Sequence, residues 1–155
     1  RKPSTSGVIA DGPMIGTVDL FFVDEEAFKN SRTLEIIVMI ADRKWRRRGL
    51  AREAIRLALR FGIAVLDADR FVAKIMDSNA ASLRFFERLG FALYERNEDF
   101  EMTHLQLSAS DCDAAFEGED GPYLMWLPPS SSAADLLRAP YVSACWGLHR
   151  RRSGM

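Results

Sequence analysis

Cysteine is scarce: the 155 residues hold two, Cys112 and Cys145, far apart and without the spacing of metal ligands. A disulfide framework is therefore excluded as the basis of the fold, no metal is expected, and a reducing, cytoplasmic setting is the default. Long apolar runs are absent as well. None approaches the roughly 20 residues that a membrane-spanning helix needs, and no apolar signal-peptide core stands near the N-terminus. The expectation is a soluble protein without a membrane partner. Nor does charge of one sign dominate, because 21 Lys and Arg stand against 22 Asp and Glu, a net charge of −1. A balanced chain has no global attraction for nucleic acid or anionic lipid.

What is present is enough chain for one domain with a proper core. Residues 1–13, with Pro3, Gly7, Gly12 and Pro13, read as a flexible lead-in. Met14 to Val23 and Leu34 to Ile40 are rich in β-formers, and the polar stretch Asp24 to Arg32 between them reads as the loop of an antiparallel pair. From Leu50 to Leu66 the apolar residues recur at three or four positions, an amphipathic helix with Arg52, Glu53, Arg56 and Arg60 mostly on the wet side. Phe71 to Ile75 is a short strand. Asp77, Ser78 and Asn79 offer caps for a second helix, Ala80 to Leu89, which Gly90 closes. Phe91 to Glu95 and Phe100 to Leu107 form a last antiparallel pair. The strand at Leu34, the helix and the strand at Phe71 make a βαβ unit with parallel strands. Residues 108–155 change character, with an acidic patch, a Pro-Pro-Ser-Ser-Ser stretch and a basic end, and read as a low-complexity tail of unknown role.

Between the second strand and the first helix lies Arg46-Arg47-Arg48-Gly49-Leu50-Ala51. A strand that turns through a basic, glycine-containing loop into a helix is a cradle for phosphates: backbone N–H groups and the helix dipole point at the ligand, and arginine adds forked donors. Gly49 allows either a close approach or a positive φ. The pattern, R-x-x-G-x-A, is neither the P-loop nor the dinucleotide fingerprint. The arginines are too local for a nucleic-acid interface, which needs an extended basic face.

This motif resembles the Q/R-x-x-G-x-G/A loop of the GNAT superfamily of acetyl-coenzyme A dependent N-acetyltransferases. The run Asn79-Ala80-Ala81-Ser82 through Phe86-Glu87-Arg88-Leu89-Gly90-Phe91 is similar to that family's second signature. Met14 to Phe22, Glu35 to Ala41 and Phe71 to Ile75 resemble the N-acetyltransferase 9-like branch. The resemblance covers residues 14–107 and implies an α/β GNAT fold: a mixed sheet with helices on both faces. The family's N-terminal strand and helices have no counterpart here, as though the chain entered the domain partway.

The resemblance implies an acetyltransferase acting on a protein or peptide amine, with tubulin suggested for the branch, and acetyl-CoA as co-substrate. Arg46, Arg47, Arg48, Gly49, Leu50 and Ala51 would take the pyrophosphate. The pantetheine arm would hydrogen-bond like an added strand along Met39, Ile40 and Ala41, where the strand splays from its neighbour, often at a bulge. The Met39 N–H is the expected oxyanion donor, and its side chain is expected in the core. Glu35, the single carboxylate of its strand, is the expected general base. Asn79 is both a helix cap and a cofactor contact. Phe86 stands where many relatives carry a tyrosine that protonates the leaving thiolate; it can only pack against the cofactor, leaving Tyr94, water or unassisted thiolate departure. His104 reads as structural. An alternative is a catalytically silent module that binds coenzyme A. Oligomeric state is not encoded in any of these features.

Overall fold

The computed structural model describes residues 14–115 and 141–147, with His149 and the lead-in outside them. Strand β1, Met14–Phe22, and strand β2, Thr33–Ile40, are antiparallel in unbroken register, from Gly16 opposite Ile40 to Phe22 opposite Leu34. A short helical turn, Glu26–Phe28, lies in their connection. Helix α1, Leu50–Ala64, leads to strand β3, Arg70–Met76, parallel to β2. Helix α2, Ala80–Arg88, then carries the chain to the antiparallel strands β4, Ala92–Asn97, and β5, Met102–Ser108. The expected order of strands and helices from residue 14 to 107 is therefore observed. Strand β5 inserts between β3 and β4, so both crossovers run in one direction across the sheet.

The chain does not leave the domain at residue 107, which amends the reading of residues 108–155 as a tail. Helix α3, Ala109–Ala115, follows β5 directly, and its Cys112 is buried in the main core. Strand β6, Tyr141–Gly147, pairs antiparallel with β1, completing the order β4-β5-β3-β2-β1-β6. Residues 116–140 lie outside the described residues.

Alternation along the strands fixes two unlike faces. Val18, Leu20, Leu34, Ile36, Phe71, Ala73, Ile75, Leu105 and Leu107 meet Ala54, Ile55, Ala58 and Leu59 of α1 and Phe86 of α2 in one core. Helices on both faces are the expectation for this fold; among the described residues all three helices lie on this side. The opposite face carries Glu35, Ile37 and Met39 of β2 and Lys74 of β3, and among the described residues the turn that holds Phe28 is laid against it. Ile37 and Met39 are 44 % and 53 % exposed there, so Met39 is no core residue. Arg56 departs from expectation in the other direction. It is 6 % exposed, buried on α1 rather than on its wet side.

Candidate functional site

The parallel ladder between β2 and β3 is three pairs long: Thr33 with Arg70, Leu34 with Phe71 and Glu35 with Val72. Both strands continue, β2 to Ile40 and β3 to Met76, but no longer beside each other. Each stays bound on its outer side, β2 to β1 and β3 to β5. The sheet thus opens into a wedge at the carboxyl ends of its two parallel strands, where open α/β sheets bind ligands.

Which backbone groups face the wedge follows from the phase of the β1–β2 ladder. The Val23 N–H donates to the Thr33 carbonyl at 3.0 Å and the Ala41 N–H donates to the Ile15 carbonyl at 2.9 Å. In an unbroken antiparallel ladder alternate residues bond the same neighbour, so Thr33, Glu35, Ile37, Met39 and Ala41 all turn their backbone groups to β1. Residues Val38 and Ile40 turn theirs into the wedge. The expected role of the Met39 N–H as oxyanion donor is therefore corrected: it is directed at Thr17, its partner on β1. The Ala41 N–H is engaged likewise. The bulge that would have reversed this phase is absent from the β1–β2 register. Of the three expected arm contacts Ile40 stands at the open edge, and Val38 was missed.

Gly16 was also missed. A Cβ there would fall 1.9 Å from the Met39 carbonyl oxygen, so only glycine lets β1 lie this close to the end of β2. The signal was a glycine inside an otherwise β-rich run.

Beyond Ile40 the chain makes a helical turn, Arg43–Trp45, capped by the Asp42 carboxylate, which accepts from the Lys44 N–H at 2.9 Å. That bond, with the Lys44 side chain, holds the Asp42 carboxyl below its ordinary value. Arg47 and Gly49 both take positive φ, 61° and 79°. No protein atom lies within 4 Å of a Cβ built on Gly49, so its backbone angle and not crowding demands glycine. The first intrahelical bond of α1 runs from the Glu53 N–H to the Gly49 carbonyl at 3.1 Å, and no side chain caps this end. The N–H groups of Leu50, Ala51 and Arg52 precede that bond and face outward as an anion site. Arg46, Arg47 and Arg48 are exposed around it. The Arg46 Nε donates to the Ile40 carbonyl at 3.2 Å, tying the loop to the open strand. Trp45 is half-buried, its ring 5.2 Å from the Arg48 guanidinium and 5.7 Å from the Lys44 ammonium.

On the uncovered face Glu35 is half-buried, and the Lys74 Nζ stands 3.4 Å from its Oε2 and 2.7 Å from the Glu25 Oε1. Burial lowers the affinity of the Lys74 ammonium for its proton, but the Glu25 hydrogen bond and the Glu35 charge outweigh burial and raise it overall. Opposite Lys74 on β5 lies His104, buried, with its Nδ1 3.1 Å from the Glu95 carboxylate and 3.5 Å from the Tyr94 hydroxyl. This is the structural role expected for it. Burial, with Glu25 and Glu95 adding to it, pushes the Tyr94 phenol up to about 12.

Asn79 caps α2, its Oδ1 accepting from the Ser82 N–H at 3.2 Å, just beyond the carboxyl end of β3. Phe86 is 4 % exposed, edge-on to Phe85 and Phe91 in the core. Its expected contact with the cofactor is corrected accordingly, since core neighbours enclose its ring. Among the described residues no three His, Cys, Asp or Glu side chains are placed to hold a metal ion, and no helix is long and apolar enough to cross a membrane.

A sheet wedge beside a phosphate cradle is the arrangement of acyl-CoA N-acyltransferases, and the match of residues 4–92 to the acetyltransferase (GNAT) domain family establishes that the chain belongs to that family. Within it, the chain is similar to an N-acetyltransferase 9-like protein of Nematostella vectensis, 37 % identical over 98 residues, covering 63 % of this chain and 48 % of the relative. It is also similar to the alpha/beta-tubulin-N-acetyltransferase 9 of Mus musculus, 38 % identical over 99 residues, 63 % of this chain and 39 % of that one. The chain thus spans half or less of the length of these two relatives. Among solved structures, a variant of the spermidine N-acetyltransferase of Vibrio cholerae shares the fold with a TM-score of 0.54 at 21 % identity, covering 64 % of this chain and 60 % of that one.

Proposed function

We propose that this chain carries the donor half of an N-acetyltransferase, moving acetyl from acetyl-CoA directly to an amine of a protein or peptide. The observation that carries the reading is the β2–β3 wedge, whose free backbone edge runs into the anion cradle of α1. Acetyl-CoA fits the residues on both sides of that junction. The outward N–H groups of Leu50, Ala51 and Arg52 suit a pyrophosphate, with Arg46, Arg47 and Arg48 supplying charge. Val38, with its N–H and carbonyl, and the Ile40 N–H offer the arm strand-like partners, the Ile40 carbonyl already accepting from Arg46. When bound, acetyl-CoA supplies a thioester carbonyl open to attack by a neutral amine.

The chain's own residues supply the rest. An acceptor amine arrives as an ammonium and must lose a proton; Glu35, the carboxylate on the open face at the start of the wedge, accepts it directly or through water. The wedge-facing N–H groups of Val38 and Ile40 would be the backbone donors available to the thioester carbonyl oxygen of a bound acetyl-CoA. Phe86 has no phenol, and Tyr94, pushed up to about 12, gives up its proton less readily than an ordinary tyrosine. A thiol is acidic enough by itself that no residue of this chain would need to protonate the leaving group. The protein acceptor rests on the likeness to relatives named for tubulin acetylation, and a cytoplasmic setting on the sparse, unpatterned cysteines. A silent CoA-binding module is the second reading, favoured by Phe86, which has no proton to give.

Calorimetric titration of the full chain with acetyl-CoA, beside Gly49→Val, tests the site. Micromolar binding lost in the variant, followed by peptide acetylation that falls with Glu35→Gln, supports the enzyme. Binding without acetylation leaves the silent module. No binding by a folded chain overturns both.

A further inference from the structure

Lys74 belongs to neither family signature, yet on the face opposite the core it contacts both Glu25 and Glu35. It follows Val72 by two residues on the same side of β3, and Val72 is the last residue paired to β2. Its side chain is therefore the first to emerge from β3 where the wedge begins. From there the ammonium leans back between two carboxylates, 2.7 Å from Glu25 and 3.4 Å from Glu35, with 22 % of the side chain exposed. An ammonium shared in this way holds each carboxylate in place by charge and, toward Glu25, by a hydrogen bond.

We infer that Lys74 is a positioning residue for Glu35, fixing the carboxylate at the closed end of the wedge, with Glu25 holding the ammonium from the other side. The inference rests on Glu35 as the general base. Every element around the cluster contributes a defined neighbour. Glu25 comes from the connection between β1 and β2, Glu35 from β2, and His104 from β5 directly opposite Lys74. Tyr94 and Glu95 come from β4 and contact His104, while Asp19 of β1 lies directly opposite Ile37, two residues along β2 from Glu35. Arg70, on the same face of β3, is engaged by Gln106 and lies over the Phe28 ring, 5.6 Å from its centre. Lys74 is thus the ammonium that touches Glu35, and the remaining charges act on it through Lys74 or from farther away.

The two arms of the cluster predict opposite signs. Lys74→Met keeps the length of the stem but removes the cation, leaving Glu25 and Glu35 to repel each other. The acid limb of the pH profile of kcat/KM should move to higher pH, and kcat should fall about tenfold or more with little change in the KM for acetyl-CoA. Glu25→Gln leaves Lys74 to Glu35 alone, and the same limb should move to lower pH. A merely structural role for the cluster would lower activity in both variants without moving the limb in opposite directions, which would overturn the inference. A readout independent of activity is the titration of the Lys74 side-chain ammonium, followed by nitrogen NMR on the full chain. Its midpoint should fall in Glu35→Gln, and an unchanged midpoint would show no coupling and sink the inference. If the midpoint falls while Glu35→Gln retains full acetylation, the coupling stands but Glu35 is not the base, and the reading of the enzyme fails separately.

Discussion

At the scale of single residues, two glycines do different work. Gly49 stands in open space at a φ of 79°, so a side chain there costs conformational strain, about 1–2 kcal/mol, without a clash. On the proposal that the adjoining N–H groups take the pyrophosphate, Gly49→Val should weaken acetyl-CoA binding by more than about tenfold, beyond what its loss of thermal stability accounts for; calorimetry beside thermal unfolding separates the two. Gly16 is the reverse case, crowded by the Met39 carbonyl at an ordinary backbone angle. Gly16→Ala must push β1 off β2 and should destabilise the chain by about 1–3 kcal/mol in urea unfolding. The displacement falls beside Met39 and Ile40, so the wedge edge should shift with it.

At the scale of elements, the strands and helices from Met14 to Leu107 are legible because period-two and period-3.6 patterns are strong there and Gly49, Asn79 and Gly90 punctuate them. The orientation of backbone groups in the wedge was harder to read. A strand's side-chain pattern says which residues face the core, and the same alternation decides which N–H groups face which neighbour, but only once the neighbour's side is known. Leu34, Ile36 and Val38 face α1 and therefore aim their backbone at β3, which excludes Met39. Strand β6 was illegible for another reason: Tyr141–Gly147 is short, lies outside any periodic run, and is recruited by the free edge of β1. Ending the chain after residue 115 should uncover that edge and produce concentration-dependent self-association in sedimentation. The same truncation should leave acetyl-CoA affinity nearly unchanged, because β2 separates β1 from the wedge.

At the scale of the whole molecule, the polar face answers to pH as one body. The Tyr94 phenol is pushed up to about 12 from 10.0, and the Lys74 ammonium is raised in the same direction. A group whose folded pKa is raised contributes stability that is complete below its unfolded value and is lost as pH rises through the folded one. The fold should therefore lose stability progressively above pH 10, and Tyr94→Phe should flatten that loss; denaturant midpoints along an alkaline series, with phenolate absorbance as the marker, measure it. At the acid end Asp77, held low by the Thr103 hydroxyl and by Arg96, contributes stability that goes only as pH falls below the ordinary carboxylate value of 3.8.

The hydrogen bond from Arg46 to the Ile40 carbonyl gives the molecule a gauge. It pins the cradle at a fixed distance from the end of the open edge, so a ligand that engages both is measured along its length. A nucleotide alone, or an arm alone, satisfies one end and forgoes the advantage of joining the two, which in a linked ligand acts as a raised local concentration. On the proposed reading, selection of the donor would be a matter of span as much as of chemical groups.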